Sequence, residues 1–441
     1  MKAFWLSVGL CFVTLLSSCR SVSVPSSGAS SAGGETVPAS AFSSSCASPS
    51  STSAPLVSST ASGSSSTSAA SSRILTAFTT VSTTASTRKT TRTTAPASTS
   101  AAPSATVEQK VAARLKAMST AEKVGQMFFV RCRKNTAVND LKTYKLGGYI
   151  LYASDFKGQT KDSLRTLLNQ YQQAAGTPLL IGVDEEGGNV NRVSLYKAFR
   201  EAPFQSPQSL YAQGGFSLII SDTIEKAALL KSLGINVNLA PVCDVSNNPS
   251  DYIYPRTFGK DAEQTAAYIK TVVETMSSHT LGAVLKHFPG YGSNVDTHTG
   301  IATDTRPYAA FESADFLPFQ AGIAAGAGGV LVSHNIVTCM DKNLPASLSP
   351  AVNRVLRDTL GFRGVIMTDD LMMKAIQQYI GTQKAAVLAV QAGNDMVLAT
   401  DFDVQIPAVL DAVEKGSIPL SQIDASVTRI LLWKARLGLA I

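Results

Sequence analysis

The chain has 441 residues, a formal net charge of +7 and 44% hydrophobic residues, enough for two or three average domains or one large barrel. The excess charge is concentrated at one end: residues 1–106 hold Lys2, Arg20, Arg73, Arg88, Lys89 and Arg92 against Glu35, which is +5 of the +7 and leaves +2 for the remainder. No basic stripe with interleaved aromatics occurs beyond residue 106, which argues against nucleic acid as a partner.

The N-terminus reads as an export signal. Lys2 precedes an apolar run from Ala3 to Leu16, too short for a comfortable membrane span, and Ser17-Ser18-Cys19 follows. Leu16-Ser17-Ser18-Cys19 resembles the bacterial lipobox, which implies cleavage before Cys19, lipid on its thiol and residues 1–18 as the signal peptide; plain secretion is the alternative. The expected location is the extracytoplasmic face of the cell membrane, held by that lipid. Residues 19–106 are almost entirely Ser, Thr, Ala, Gly, Pro and Val, with too little large apolar surface to offset the entropy of ordering. They are expected to be a disordered linker with an end-to-end distance of roughly 50 Å. Its sparse basic charge fits attraction to anionic lipid or wall polymer as well as it fits a plain soluble tether.

Residues 107–441 form the expected folded domain. Val107 to Met118 is apolar at helical spacing, and Ser119-Thr120-Ala121-Glu122 is a capping box that starts a second helix. Short apolar runs then recur between longer amphipathic stretches: Met127 to Val130, Tyr149 to Tyr152, Leu179 to Val183, Val237 to Leu239, Ala283 to Leu285, Val330 to Val332, Val365 to Met367 and Met396 to Leu398. Parallel strands buried on both faces read this way, so the expected fold class is α/β, a (β/α)8 TIM-type barrel. A doubly wound open sheet gives similar local signals. More informative are the polar residues that follow the runs: Asp184-Glu185-Glu186, Asp244, Lys286-His287, Ser333-His334 and Asp369-Asp370. In a closed barrel they would converge on one face. Each alone reads better as a solvated loop residue or a helix cap, but five in register make coincidence a poor explanation.

The densest such stretch is Lys286 to Gly300, KHFPGYGSNVDTHTG. Together with Ile366-Met367-Thr368-Asp369-Asp370-Leu371 it resembles glycoside hydrolase family 3, in its single-domain β-N-acetylhexosaminidase branch. Gly182 to Gly188, Asn238 to Val245, Arg256-Thr257-Phe258-Gly259 and Arg429-Ile430-Leu431 extend the resemblance over about residues 118 to 438. It implies a retaining exo-β-N-acetylhexosaminidase that releases terminal N-acetylglucosamine from muropeptides or related glycans, as a monomer, through a covalent glycosyl-enzyme and without metal or cofactor. By the same resemblance Asp369 is the nucleophile, His298 the general acid/base and Asp296 its assistant. Asp184, Arg256, Lys286 and His287 bind the sugar.

The chemistry fits those residue types. Retention needs an ionised carboxylate and a second group that gives and then takes a proton, and imidazole titrates near neutral pH. Asp370 is expected to cap the following helix, and His334 to be pocket wall or structural. His279 reads as a helix-end residue. Cys132, Cys243 and Cys339 lie far apart, with no metal spacing such as CxxC, and read as unpaired. Phe288-Pro289 is a candidate cis bond.

Three positions depart from the branch pattern: Tyr291 stands where His is common, Thr297 where Ser is common, and Asn189 where Arg is usual. The last bears on the preferred leaving group. Related β-glucosidases carry a further domain supplying a Glu acid/base, and the chain after the eighth helix leaves no room for it, which favours N-acetylglucosaminides over glucosides. The alternatives are a β-N-acetylglucosaminide phosphorylase or β-glucosidase of the same fold and, in a different class, a non-catalytic wall-binding lipoprotein.

Overall fold

A computed structural model describes residues 105–296 and 300–441. The proposed lipidation site Cys19, the signal, nearly all of the linker and His298 lie outside the described residues.

Eight apolar segments form parallel strands: β1 Phe128–Arg131, β2 Gly148–Leu151, β3 Leu180–Val183, β4 Val237–Asn238, β5 Gly282–Phe288, β6 Gly329–Val332, β7 Val365–Thr368 and β8 Val397–Ala399. Each pairs in parallel with its neighbour from β1 to β7, and β8 pairs with β1 through Phe128 opposite Val397. Between β7 and β8 a bridge joins Met367 and Met396, and Leu398 N–H donates to Thr368 Oγ1 at 3.1 Å. These contacts close the sheet into a (β/α)8 barrel.

All eight expected runs are strands, with ends shifted by at most one residue except in β5. That strand runs on through Lys286 and His287 to Phe288 instead of stopping at Leu285. Lys286 is bridged to Val242 and its side chain is ion-paired, so burial does not expel it from the sheet.

Side-chain volume explains the small residues on the strands. A Cβ on Gly182 would lie 2.4 Å from the Phe129 ring, so this glycine makes the space that a fully buried phenylalanine fills inside the barrel. Burying such a side chain contributes about 1.5–3 kcal/mol. A Cβ on Gly148 would meet the Leu180 carbonyl at 2.3 Å, so β2 and β3 can approach in this register only without it. On the opposite end, Trp433 from the helix Leu420–Arg436 packs against Gly282, Gly328 and Gly329. Lys434 beside it is fully buried, and its Nζ donates to Gln126 Oε1 at 2.6 Å.

The helices begin where the capping chemistry directs. Thr106 and Ser119 form reciprocal boxes with Gln109 and Glu122, and Asp261 accepts from Gln264 N–H to start Ala262–Ser278. His279 closes that last helix. Among the described residues no helix is long and apolar enough to cross a membrane. A two-strand ribbon, Thr303–Asp304 with Ile336–Val337, ties the loop after β5 to the loop after β6.

Candidate active site

The carboxyl ends of the strands open into one cleft of about 740 Å³, a size suited to a small ligand. Asp184, Arg256, Lys286, His287 and Asp369 all line it, and Glu186, Tyr152, Tyr252 and Asp370 join them. Strand ends on a rigid barrel hold charged groups at fixed separations, which explains why residues far apart in sequence meet here.

Lys286 sits between two carboxylates, its Nζ 2.6 Å from Asp184 Oδ1 and 2.6 Å from Glu186 Oε1. Its side chain is 3% exposed, so it is no solvent lysine. Glu186 also accepts a two-point contact from Arg256, with Nε at 3.0 Å and Nη2 at 2.7 Å. Burial alone would raise the Glu186 carboxyl, but Arg256 and Lys286 outweigh it and hold the group well below the usual carboxylate range. Burial likewise works against the Lys286 ammonium, and Asp184 and Glu186 reverse it, leaving its pKa raised.

His287 has a defined tautomer. Its Nδ1 is 2.7 Å from Asp244 Oδ2, and a carboxylate can only accept, so Nδ1 carries a proton. Nε2 lies 3.2 Å from Arg256 Nη2, a donor, and so presents its lone pair there. The other oxygen of Asp244 accepts from Tyr291 N–H at 2.8 Å.

Asp369 directly follows β7, with its N–H bonded to the Val332 carbonyl at 2.9 Å and its own Oδ1 accepting from Asp370 N–H at 2.8 Å. Burial raises its pKa, but His334, His287 and Lys286 together with the Asp370 N–H bring it below the ordinary value. Asp370 moves the other way: burial, and then the Asp369 charge, raise it despite the Met372 N–H. The neighbouring acids are therefore pushed apart, Asp369 toward the anion and Asp370 toward the acid.

Asp370 is not the helix cap expected of it. Its Oδ1 accepts from Met372 N–H at 3.0 Å, closing a turn, and the next helix, Lys374–Tyr379, has Met373 at its N-cap. Its Oδ2 takes a bond from Tyr152 Oη at 3.3 Å. His334 is fully buried, with Nε2 3.0 Å from the Asp370 carbonyl and Nδ1 2.7 Å from Ser347 Oγ. The carbonyl requires a proton on Nε2, so Nδ1 accepts from the serine. His334 thus holds the Asp369-Asp370 backbone from beneath.

Residues 119–432 match the Glycosyl hydrolase family 3 N terminal domain. The chain belongs to glycosyl hydrolase family 3. A beta-hexosaminidase of Xylella fastidiosa (strain M12) is 32% identical over 266 residues, covering 59% of this chain and 78% of that protein. One from Nitrosomonas eutropha is 33% identical over 262 residues, covering 57% and 73%. Among solved structures, a glycoside hydrolase family 3 beta-N-acetylglucosaminidase from Paenibacillus sp. str. FPU-7 has 30% identity and a TM-score of 0.69, covering 73% of this chain. The present chain spans 63% of the length of that structure. Family and relatives together make it a glycoside hydrolase, for which a carbohydrate substrate is the plausible ligand.

Several residues of this family 3 hydrolase escaped the sequence reading. Glu186 pairs with both Arg256 and Lys286, yet in the sequence it is one of three consecutive acids with nothing to distinguish it. Glu185 turns inward and accepts from the N–H groups of Arg192 and Val193 at 2.7 Å and of Ser194 at 3.0 Å, fixing the loop after β3. Asp244 was visible as a polar strand-end residue, although only the fold shows that it orients His287. Asp296 lies beside the Tyr252 phenol at the cleft edge. Cys132 and Cys243 are buried and Cys339 is exposed, all unpaired, with the Cys132 thiol pushed up to about 12 mainly by burial. Among the described residues no group of three or more His, Cys, Asp or Glu is placed to hold a metal ion.

Proposed function

We propose that the protein is a retaining exo-β-N-acetylhexosaminidase acting on terminal N-acetylglucosaminides of cell-wall fragments or related glycans. The observation that carries this reading is the Asp369 carboxylate, held toward its anionic form in a cleft that is also lined by the Asp184, Lys286, Glu186, Arg256 cluster. An anion at that position is a competent nucleophile, and the cluster offers paired donors and acceptors to sugar hydroxyls. The names of the relatives support N-acetylglucosamine as the sugar.

In the first step an Asp369 oxygen bonds to the anomeric carbon as the glycosidic C–O bond breaks. His298 gives its proton to the departing oxygen. In the second step water attacks the same carbon, His298 takes the water proton, and the bond to Asp369 breaks to regenerate the carboxylate. Asp296 would steady the imidazolium.

The test is release of chromophore from a chromogenic β-N-acetylglucosaminide by the wild type, Asp369→Asn and His298→Ala, with and without inorganic phosphate. The expected result is hydrolysis by the wild type, almost none by Asp369→Asn, and His298→Ala activity confined to substrates with very good leaving groups. Equal rates in all three would overturn the mechanism, and sugar 1-phosphate as the main product would make the enzyme a phosphorylase.

The N-terminal pattern supports export and lipidation at Cys19, with residues 19–106 as a tether between membrane and barrel. Cys19→Ala in a bacterial host should move the protein from the membrane fraction into the soluble one. Retention in the membrane would rule the anchor out.

A further inference from the structure

The loop after β5 makes a set of contacts that neither sugar binding nor nucleophilic attack requires. Tyr291 stands three residues beyond the end of β5. Its N–H is bonded to Asp244, the carboxylate that orients His287, and its ring meets the His287 ring edge-on with centroids 5.8 Å apart. Its hydroxyl donates to the Val295 carbonyl at 3.1 Å, the peptide group that joins Val295 to Asp296.

Tyr252 arrives from a different segment, between β4 and the helix Ala262–Ser278, and its ring lies against Tyr291 with centroids 5.9 Å apart. It lines the cleft together with Arg256, and the Asp296 carboxylate lies near its phenol. Burial and the Asp296 charge raise its pKa, so it stays protonated and remains a donor to that carboxylate. Contacts therefore run from His287 through Tyr291 to the peptide before Asp296, with Tyr252 packed against Tyr291.

Apolar packing does not fix Asp296 through its neighbour, since Val295 is 63% exposed. A carboxylate on so exposed a stretch would sample many orientations unless polar contacts restrict it. The Tyr291 hydroxyl supplies such a contact to the backbone before Asp296, and the Tyr252 phenol, packed against the Tyr291 ring, lies beside its side chain. We infer that Tyr252 and Tyr291 are positioning residues for proton transfer, their phenols setting the Asp296 carboxylate at a fixed distance from the sugar-holding Arg256 and His287. This rests on the reading of Asp296 as the assistant of His298. Neither tyrosine touches the reacting atoms; each acts through Asp296.

Tyr252→Phe and Tyr291→Phe keep both rings and remove only the hydroxyls. Each would be assayed on a phenyl N-acetylglucosaminide, whose leaving group needs a proton, and on a 2,4-dinitrophenyl one, which needs almost none. The expected result is a loss of about 10- to 100-fold in kcat/KM on the phenyl glycoside, with the dinitrophenyl glycoside much less affected and thermal unfolding unchanged. Equal losses on both substrates would overturn the inference in favour of a sugar-contact role for the tyrosines, and no loss on the phenyl glycoside would overturn it outright. Asp369→Asn and His298→Ala are run in parallel. If Asp369→Asn is inactive and His298→Ala is selective for the good leaving group while the tyrosine variants are not, only the inference fails. If Asp369→Asn is active or His298→Ala is unselective, the underlying mechanism fails with it.

Discussion

Asp244 and His287 are joined by a 2.7 Å contact between Oδ2 and Nδ1, and this bond decides which imidazole nitrogen faces the cleft. With the proton fixed on Nδ1, Nε2 is an acceptor, available to Arg256 or to a hydroxyl of the substrate. Removal of the carboxylate frees the ring to flip or change tautomer. Asp244→Ala should therefore weaken substrate binding, lowering kcat/KM about 10- to 100-fold, the range set by losing a charge-assisted bond. Steady-state kinetics would show the loss mainly in KM if His287 holds the sugar.

Asp369 is kept below the ordinary carboxylate value by His334, His287 and Lys286 acting against burial. The acid limb of kcat/KM that belongs to the nucleophile should accordingly lie below about pH 4. A pH–rate profile with a nucleophile limb near pH 6 would contradict this environment.

Glu186 bears on stability. Its pKa in the folded protein is depressed by Arg256 and Lys286, so its contribution is fully present above the unfolded value of 4.5 and is lost as pH falls through the folded value. Glu186→Gln should cost about 3–5 kcal/mol at pH 7, because the buried Lys286 and the partly buried Arg256 lose a shared anion. The gap in Tm between variant and wild type should close in strong acid.

Lys434 has the opposite chemistry. Burial, and then the Arg114 charge, pull its pKa down to about 7. For a base depressed in this way, stability is greatest above the unfolded value near 10.5 and falls with pH until the folded value is reached. Lys434→Met should gain Tm relative to the wild type at pH 6, and that gain should shrink steadily by pH 10. Unfolding curves across that range would test it.

The barrel was legible because its strands are buried on both faces and leave uninterrupted apolar runs such as Leu179 to Val183 and Val365 to Met367. Their ends were less legible. Lys286 and His287 read as residues just beyond the end of the strand, yet they belong to β5, since ion pairs with Asp184 and Asp244 permit their burial. In the cleft, the polar strand-end residues Asp184, Lys286, His287 and Asp369 were visible one at a time. What the sequence hid was their pairing: the Arg256 to Glu186 contact spans 70 residues, and no local pattern in Asp184-Glu185-Glu186 tells which acid turns toward the cleft. Asp370 was misread for a similar reason. Its place before a helix suggested a cap, but Met372 N–H comes within reach before the helix begins.

The closure of β1 onto β8 also has a meaning for synthesis. Phe128 and Phe129 emerge early, yet the edge they need, Val397 and Leu398, is made some 270 residues later. Gln126 waits longer still for Lys434, 308 residues away. Until then a nascent chain holds an open sheet whose first edge has no second neighbour, the condition most exposed to mispairing with other chains. The ring of strands is thus completed only once Val397 and Leu398 have been made, and the protection of that first edge until then falls to whatever accompanies the chain as it is made.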